Sequence, residues 1–82
     1  MESKVEVLEK AVKTYGRMHQ TIKATEELSE LLVALNKWLG MSENEDYIRD
    51  NIREGCADVE IMLGQLKIIF GEWSGWTHDK MD

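Results

Sequence analysis

Apolar residues recur at intervals of three and four along most of the chain, which is the spacing of an amphipathic α-helix. The pattern predicts a short helix from about residue 4 to 15, a second from about 19 to 39 and a third from about 47 to 70. Gly16, Gly40 and Gly71 follow these segments and are typical of helix ends. No stretch alternates convincingly in the way of a strand, so we predict an all-α protein.

Polar segments connect and follow the predicted helices. In the segment MSENED, residues Ser42, Asn44 and Asp46 are candidate N-caps of the third helix. Residues 72–82 are predicted to be a short polar tail, apart from Trp73 and Trp76. Since no linker or repeat divides the chain, residues 1–82 are expected to form one domain.

The second and third predicted helices each carry a broad apolar arc on a helical wheel. In the second helix the arc comprises Ala24, Leu28, Leu31, Leu32, Leu35, Trp38 and Leu39. In the third it comprises Ile48, Ile52, Cys56, Val59, Met62, Leu63, Leu66, Ile69 and Phe70. The third helix has further apolar residues outside this arc: Ala57, Ile61 and Ile68. We therefore expect it to pack both within its own chain and against another.

The chain is too short to enclose much core with two long helices and one short helix. Its 82 residues are expected to form a helical bundle that is completed by self-association. A homodimer and a homotetramer both fit this expectation.

The acidic charge narrows the classes of partner. The formal net charge is -6 at pH 7, which argues against nucleic acid and anionic membranes as partners and suits a chain that binds divalent cations. No apolar run is long enough to span a membrane. The single cysteine, Cys56, excludes an internal disulfide and a zinc cluster, so a cytoplasmic location is expected. We expect Cys56 to be an inert core residue.

Two pairs of carboxylates border the apolar arcs. Glu27 and Glu30 are three residues apart and Glu54 and Asp58 are four apart, so each pair projects from one side of its helix. If the helices pack antiparallel, the four side chains would converge on one cleft. Such oxygen ligands suit Mg²⁺, or alternatively Mn²⁺, and Mg²⁺ commonly bridges protein carboxylates to substrate phosphates.

Nearby polar residues are candidate contacts for a phosphorylated substrate. Lys23 and Lys37 lie on the same stripe as Glu27 and Glu30, where ammonium groups could neutralise phosphates. Asn51 borders the second carboxylate pair, and His19 precedes the first. Trp73 and Trp76 are candidates for stacking on a nucleobase or for contact with a second subunit.

A simpler interpretation stays open, and spacing alone favours it. Acidic residues beside an apolar arc commonly form a solvated flank, and Lys23 with Glu27 makes an ordinary helical ion pair. On this interpretation the protein is a helical interaction module without a chemical site.

The stretches YGRMHQTIKATEELSELLVALNKWLG and NIREGCADVEIMLGQLKIIFG resemble the MazG-like all-α nucleoside triphosphate pyrophosphohydrolases, most closely the small phage and mobile-element members. The resemblance covers roughly residues 15–71. The family signature is Glu-x-x-Glu on one helix and Glu-x-x-Asp on the next. Glu27 and Glu30 match its first half and Asp58 matches its aspartate, whereas Gly55 stands where a glutamate is expected. Glu54 matches an additional acidic position that is frequent in the family.

The resemblance implies an enzyme that cleaves a nucleoside triphosphate, NTP or dNTP, between its α and β phosphates to give a monophosphate and pyrophosphate. It implies that Glu27, Glu30 and Asp58, with Glu54 as an auxiliary ligand, hold Mg²⁺, and that Glu27 or Glu30 accepts a proton from the attacking water. Gly55 removes one expected ligand and leaves a gap beside the site. We therefore expect weakened activity, or alternatively a non-catalytic oligomerisation or nucleotide-sensing module of the same fold.

Overall fold

A computed structural model describes residues 2–40 and 45–81. Within these ranges the chain contains no strand and forms four helices: α1 (Lys4–Tyr15), α2 (Arg17–Gly40), α3 (Glu45–Phe70) and α4 (Ser74–Met81). The all-α prediction is confirmed, and α1 has the predicted bounds. The helices α2 and α3 begin slightly earlier than the apolar pattern predicted, and α4 was not predicted at all.

The ends of α1 are fixed by two local features. The Ser3 hydroxyl accepts a hydrogen bond of 3.1 Å from the backbone N–H of Glu6, which satisfies one of the unpaired amides of the first turn. At the other end, Gly16 has a φ of 90°, in the region that favours glycine, and its N–H donates to the Val12 carbonyl at 2.8 Å. The chain therefore passes from α1 into α2 with one intervening residue.

The start of α3 lies next to residues that the structure leaves undescribed. Of the three predicted N-caps, Ser42 and Asn44 lie outside the described residues. The third, Asp46, is inside the first turn of α3 together with Glu45. Two carboxylates in this turn interact favourably with the helix dipole.

The helices α2 and α3 pack antiparallel and make the most extensive contact among the described helices. Gln20 near the start of α2 meets Gln65 near the end of α3, and Leu31 lies against Gly55. The buried apolar side chains among the described residues are Ala24, Val59 and Met62. This interior is very small for a chain of 82 residues.

The short helix α1 contacts both long helices, chiefly α3. A Cβ atom added to Gly64 would lie 2.6 Å from the Cδ1 atom of Leu8, which is far inside normal packing distance. A side chain at position 64 would therefore displace the end of the Leu8 side chain, whereas Gly64 leaves room for it against α3.

Much of the predicted apolar arc of α2 remains exposed in the single chain. The exposed fractions lie between 40% and 74% for Leu28, Leu32, Leu35, Trp38 and Leu39. Leu31 is half-buried, and Ala24 is the fully covered member of the arc. One copy of α3 is too narrow to cover this arc.

The prediction that Cys56 lies in the core is wrong, because its side chain is exposed. The face of α3 that meets α2 includes Gly55, and the buried Val59 and Met62 follow Gly55 at successive spacings of four and three residues, on the same side of the helix. Cys56 leaves the helix about 100° from Gly55 and so falls beside this contact. Two other members of the predicted arc are also exposed, namely Leu63 and Phe70.

Within the segment that was predicted to be a short polar tail, residues 74–81 form the helix α4. One carboxylate oxygen of Glu72 accepts hydrogen bonds from the N–H groups of Trp73 at 2.9 Å and Ser74 at 3.0 Å, and from the Ser74 hydroxyl at 2.6 Å. The Lys67 ammonium lies 3.5 Å from Glu72 and 5.0 Å from the centre of the Trp73 ring. These contacts join the end of α3 to the start of α4.

Within the ranges 2–40 and 45–81, no helix has both the length and the apolar character that crossing a membrane requires.

A pair of amide side chains is buried between the two long helices. Gln20 and Gln65 are only 4% and 5% exposed, and the Gln20 amide N–H donates to the Gln65 carbonyl. The Gln20 carbonyl lies 2.8 Å from Nδ1 of His19, and the His19 ring stacks on Tyr15 with centroids 5.6 Å apart. Both amides therefore have partners in an otherwise apolar contact.

We predict that Gln65→Leu lowers the free energy of unfolding by about 1–3 kcal/mol, because it leaves the buried Gln20 amide without its acceptor. The double change Gln20→Leu and Gln65→Leu should recover most of this loss, since no polar group is then stranded. Urea unfolding at one fixed protein concentration measures both values, with the exposed Asn36→Leu as a control. Additive losses in the double variant would contradict the pairing.

We predict that the α3–α4 junction loosens on acidification. The Ser74 hydroxyl lowers the pKa of Glu72 most, and the Trp73 N–H and the Lys67 charge lower it further below the ordinary 4.5. A lowered folded-state pKa means that the stabilisation is complete above pH 4.5 and is lost as pH falls through the lowered value. The indole N–H resonance of Trp73 should shift in that acidic range.

The matched variants are Glu72→Gln, which should abolish this shift, and Glu60→Gln on the exposed surface of α3, which should preserve it. If the Trp73 resonance shifts with pH in the Glu72→Gln variant as it does in the natural chain, Glu72 is not the group responsible for the shift.

Candidate functional site

A cleft of about 220 Å³ lies between the second half of α2 and the first half of α3. We call it the acidic cleft. It is lined by Glu30, Val33, Ala34, Lys37, Asn51, Glu54, Gly55 and Asp58. Three carboxylates, one ammonium group and one amide therefore face a single small space.

Helical spacing explains how the lining residues come together. Glu30, Ala34 and Lys37 are separated by four and three residues, so they form one stripe along α2. On α3, Asn51, Gly55 and Asp58 have the same spacing. Because the two helices run antiparallel and meet where Leu31 contacts Gly55, the two stripes face each other across the cleft.

The structure brings together five of the predicted site residues. Asp58 and Asn51 are half-buried, whereas Glu30, Lys37 and Glu54 are exposed at the mouth of the acidic cleft. A phosphorylated ligand could therefore reach all five from solvent.

Glu27 and Lys23 do not line the acidic cleft. Their side chains form an ion pair with 3.6 Å between the Lys23 nitrogen and a Glu27 oxygen. The Glu27 side chain is only 16% exposed, since it lies beside the apolar contact between the helices. This pair matches the simpler interpretation of the sequence, in which the two residues stabilise α2 by an ordinary helical ion pair.

His19 is also outside the acidic cleft. It lies near the start of α2, on the Tyr15 ring and beside Gln20. Its neighbours in the structure are therefore the buried amide pair and α1 rather than the carboxylates.

Gly55 has a packing role that the sequence did not reveal. A Cβ atom at this position would lie 3.2 Å from Cδ1 and 3.6 Å from Cα of Leu31. The absence of a side chain thus lets the two helices approach closely at the wall of the acidic cleft. The side of Gly55 on which a Cβ atom would lie is occupied by Leu31, whereas Gly55 also lines the open space of the acidic cleft.

The donor atoms of the cleft suit a hard divalent cation, but its acidic side chains are widely spaced. Carboxylate and amide oxygens are the ligands that Mg²⁺ prefers. Within residues 2–40 and 45–81, however, no three carboxylate, histidine or cysteine side chains are close enough together to hold a metal ion. The residues fit such an ion by donor type, and the remaining coordination would come from water and ligand oxygens, which Mg²⁺ commonly retains.

Sequence reasoning did not identify the apolar part of the cleft wall. Val33 and Ala34 also line the acidic cleft, because both lie on the side of α2 that carries Glu30 and Lys37. The sequence feature that could have identified this part of the wall is the spacing of Ala34, which lies four residues after Glu30 and three before Lys37.

Comparison with known proteins gives no match, whether the chain is compared with protein-family models, curated protein sequences or solved structures.

We predict that Gly55→Glu is less stable than its neutral counterpart Gly55→Gln by about 0.2–0.5 kcal/mol at low salt, because the added charge lies three residues before Asp58 on the same helix face. Both side chains make the same close contact with Leu31, so their difference isolates the charge. Adding Mg²⁺ should reduce the difference more than NaCl of equal ionic strength, as followed by thermal unfolding.

Equal stability of the glutamate and glutamine variants in low salt would contradict the placement of position 55 beside the other carboxylates.

Proposed function

We propose that this chain is a metal-dependent nucleoside triphosphate pyrophosphohydrolase of the MazG-like type, with activity weakened by Gly55. The single observation that carries the proposal is that Glu30 of α2 and Asp58 of α3 line one cleft. These two residues match the two halves of the family signature, and the resemblance implies that they act together. A cytoplasmic location fits the single cysteine and the reaction.

Three carboxylates in a small cleft repel one another unless a cation is present. Glu30 and Asp58 would hold Mg²⁺ or Mn²⁺ together with phosphate oxygens and water, and Glu54 would add negative charge at the mouth of the cleft. When bound, the ion would neutralise phosphate charge and lower the pKa of a coordinated water. The Glu27–Lys23 ion pair sets Glu27 apart from this group, so Glu30 is the better candidate for the base that accepts the water proton.

The other polar residues of the acidic cleft would orient the substrate. The Lys37 ammonium can approach a phosphate oxygen, and the Asn51 amide can donate a hydrogen bond. Water attack at the triphosphate breaks the link between the α and β phosphates and yields a monophosphate and pyrophosphate. Since this reaction needs mainly positioning and charge neutralisation, a helical bundle is a sufficient scaffold.

The exposed leucines of α2 support self-association of the chain as a homodimer or homotetramer. Leu28, Leu32, Leu35 and Leu39 are spaced by four, three and four residues, as in the seam of a coiled coil. Their exposed fractions lie between 40% and 74%. We define these four residues as the leucine seam and propose that it packs against another copy.

A second candidate function is a non-catalytic oligomerisation or nucleotide-sensing module. Two observations favour it: Gly55 replaces an expected ligand, and the described side chains form no group of three metal ligands. The leucine seam would be its main functional surface. Self-association alone fits both candidates, so activity must separate them.

We predict pyrophosphate release when the purified chain is incubated with a panel of NTPs and dNTPs and with Mg²⁺ or Mn²⁺. Glu30→Gln and Asp58→Asn should each reduce the rate at least 100-fold, because each removes a charge that holds the cation. The control Glu60→Gln, outside the acidic cleft, should leave the rate unchanged.

Nucleotide-dependent thermal stabilisation without turnover would favour the sensing module. Neither turnover nor stabilisation with any nucleotide would refute both nucleotide-binding proposals and leave the helical interaction protein.

A further inference from the structure

An apolar groove lies at the end of the molecule opposite the acidic cleft. It has a volume of about 440 Å³ between the start of α2 and the end of α3, and we call it the end groove. Its lining consists of Arg17, Met18, Thr21, Ile22, Ile69 and Phe70. Met18, Ile22 and Phe70 are 79%, 53% and 67% exposed, so the single chain leaves this groove open to water.

The helix α4 has two faces with different surroundings. Thr77, His78 and Met81 line a pocket with Lys67 and Trp73, so this face is directed towards the end of its own α3. Trp76 and Asp79 lie on the other side of α4. Trp76 is 70% exposed, although a large aromatic ring is the kind of side chain that anchors protein interfaces.

The chain cannot easily cover its own end groove with α4. The Glu72, Lys67 and Trp73 contacts hold the start of α4 on the side of α3 that carries Lys67. Ile69 is two residues further along α3 and therefore projects about 200° away from Lys67. No Cα atom of α4 lies within 8 Å of a Cα atom in α1, α2 or α3. Within residues 2–40 and 45–81, no other helix therefore covers the end groove or the outer face of α4.

We propose that α4 is an exchanged arm, whose Trp76 ring enters the end groove of a second copy of this chain. Each copy carries one arm and one groove, so a two-fold pair satisfies both sets of surfaces at once. The contact would also stabilise α4 itself, because a helix of eight residues is marginal in water without packing.

Charge complementarity supports the same occupant. Asp79 lies three residues after Trp76 on α4, so the two side chains leave neighbouring turns. Arg17 is at the edge of the end groove. Among the described residues neither Arg17 nor Asp79 forms an ion pair within the chain. With Trp76 in the groove, Asp79 can pair with Arg17 of the other copy.

This inference rests on the proposed self-association but is independent of the proposed hydrolysis. It is tested with the full chain by sedimentation velocity over a range of concentrations. The arm variant Trp76→Ser and the groove variant Ile22→Glu should each raise the dissociation constant at least tenfold. Tyr47→Ser is the matched control, since Tyr47 is 68% exposed at the opposite end of α3, and it should change association less than twofold.

Mixing the two variants gives the decisive measurement. A mixed pair contains one intact contact, between the normal arm of the Ile22→Glu chain and the normal groove of the Trp76→Ser chain. The mixture should therefore associate more tightly than either variant alone. Both altered side chains are more than half exposed in the single chain, and circular dichroism should give unchanged helix content.

Each other outcome overturns the inference in a distinguishable way. A monomeric natural chain would refute the proposed self-association and the arm exchange together. An associated natural chain whose dissociation constant is insensitive to Trp76→Ser, or a mixture no tighter than its components, would refute the arm exchange alone. Pyrophosphate release by any of these proteins bears only on the proposed hydrolysis.

Discussion

The antiparallel contact between α2 and α3 is the constraint on which the rest of the structure depends. It is defined at one end by the buried amides of Gln20 and Gln65 and near its middle by the close approach of Leu31 to Gly55. Sliding one helix past the other would separate the amides and place each against apolar side chains, at a cost in free energy for both. The register that sets Glu30 and Asp58 across the acidic cleft thus depends on an amide pair that is about two to three helical turns away.

Periodicity was sufficient for the part of the fold that depends on burial. The bounds of α1 and the existence of α2 and α3 followed from the three-and-four spacing of apolar residues, and the glycines after them marked the ends. The placement of Glu30 and Asp58 on opposite sides of one cleft was also predictable, because it requires only their helical spacing and antiparallel packing of α2 and α3. The helix α4 was not predictable in this way, since SGWTHDKM has no apolar periodicity and begins at the contacts among Glu72, Trp73 and Lys67.

The spacing of apolar residues did not predict the direction of individual side chains or the distance between the helices. Glu27 has the correct spacing for the acidic cleft, yet its carboxylate pairs with Lys23 along the same helix. Cys56 is apolar and borders the helix contact, yet the close approach is centred on the adjacent Gly55. Both outcomes depend on which residue of a turn faces the neighbouring helix, a difference of about 100° that a broad apolar arc does not define.

The docking of α1 has a consequence for the order in which the molecule opens. No residue of α1 is buried, and the helix contacts α3 through Leu8 above Gly64. Its amide hydrogens are therefore expected to exchange with solvent deuterium earlier than those around Val59 and Met62, through a local detachment that leaves the α2–α3 pair intact. In that partly opened form, the apolar side chain of Leu8 and the surface of α3 around Gly64 would both be exposed to solvent, which makes this opening a route to contact between copies that the closed molecule does not offer.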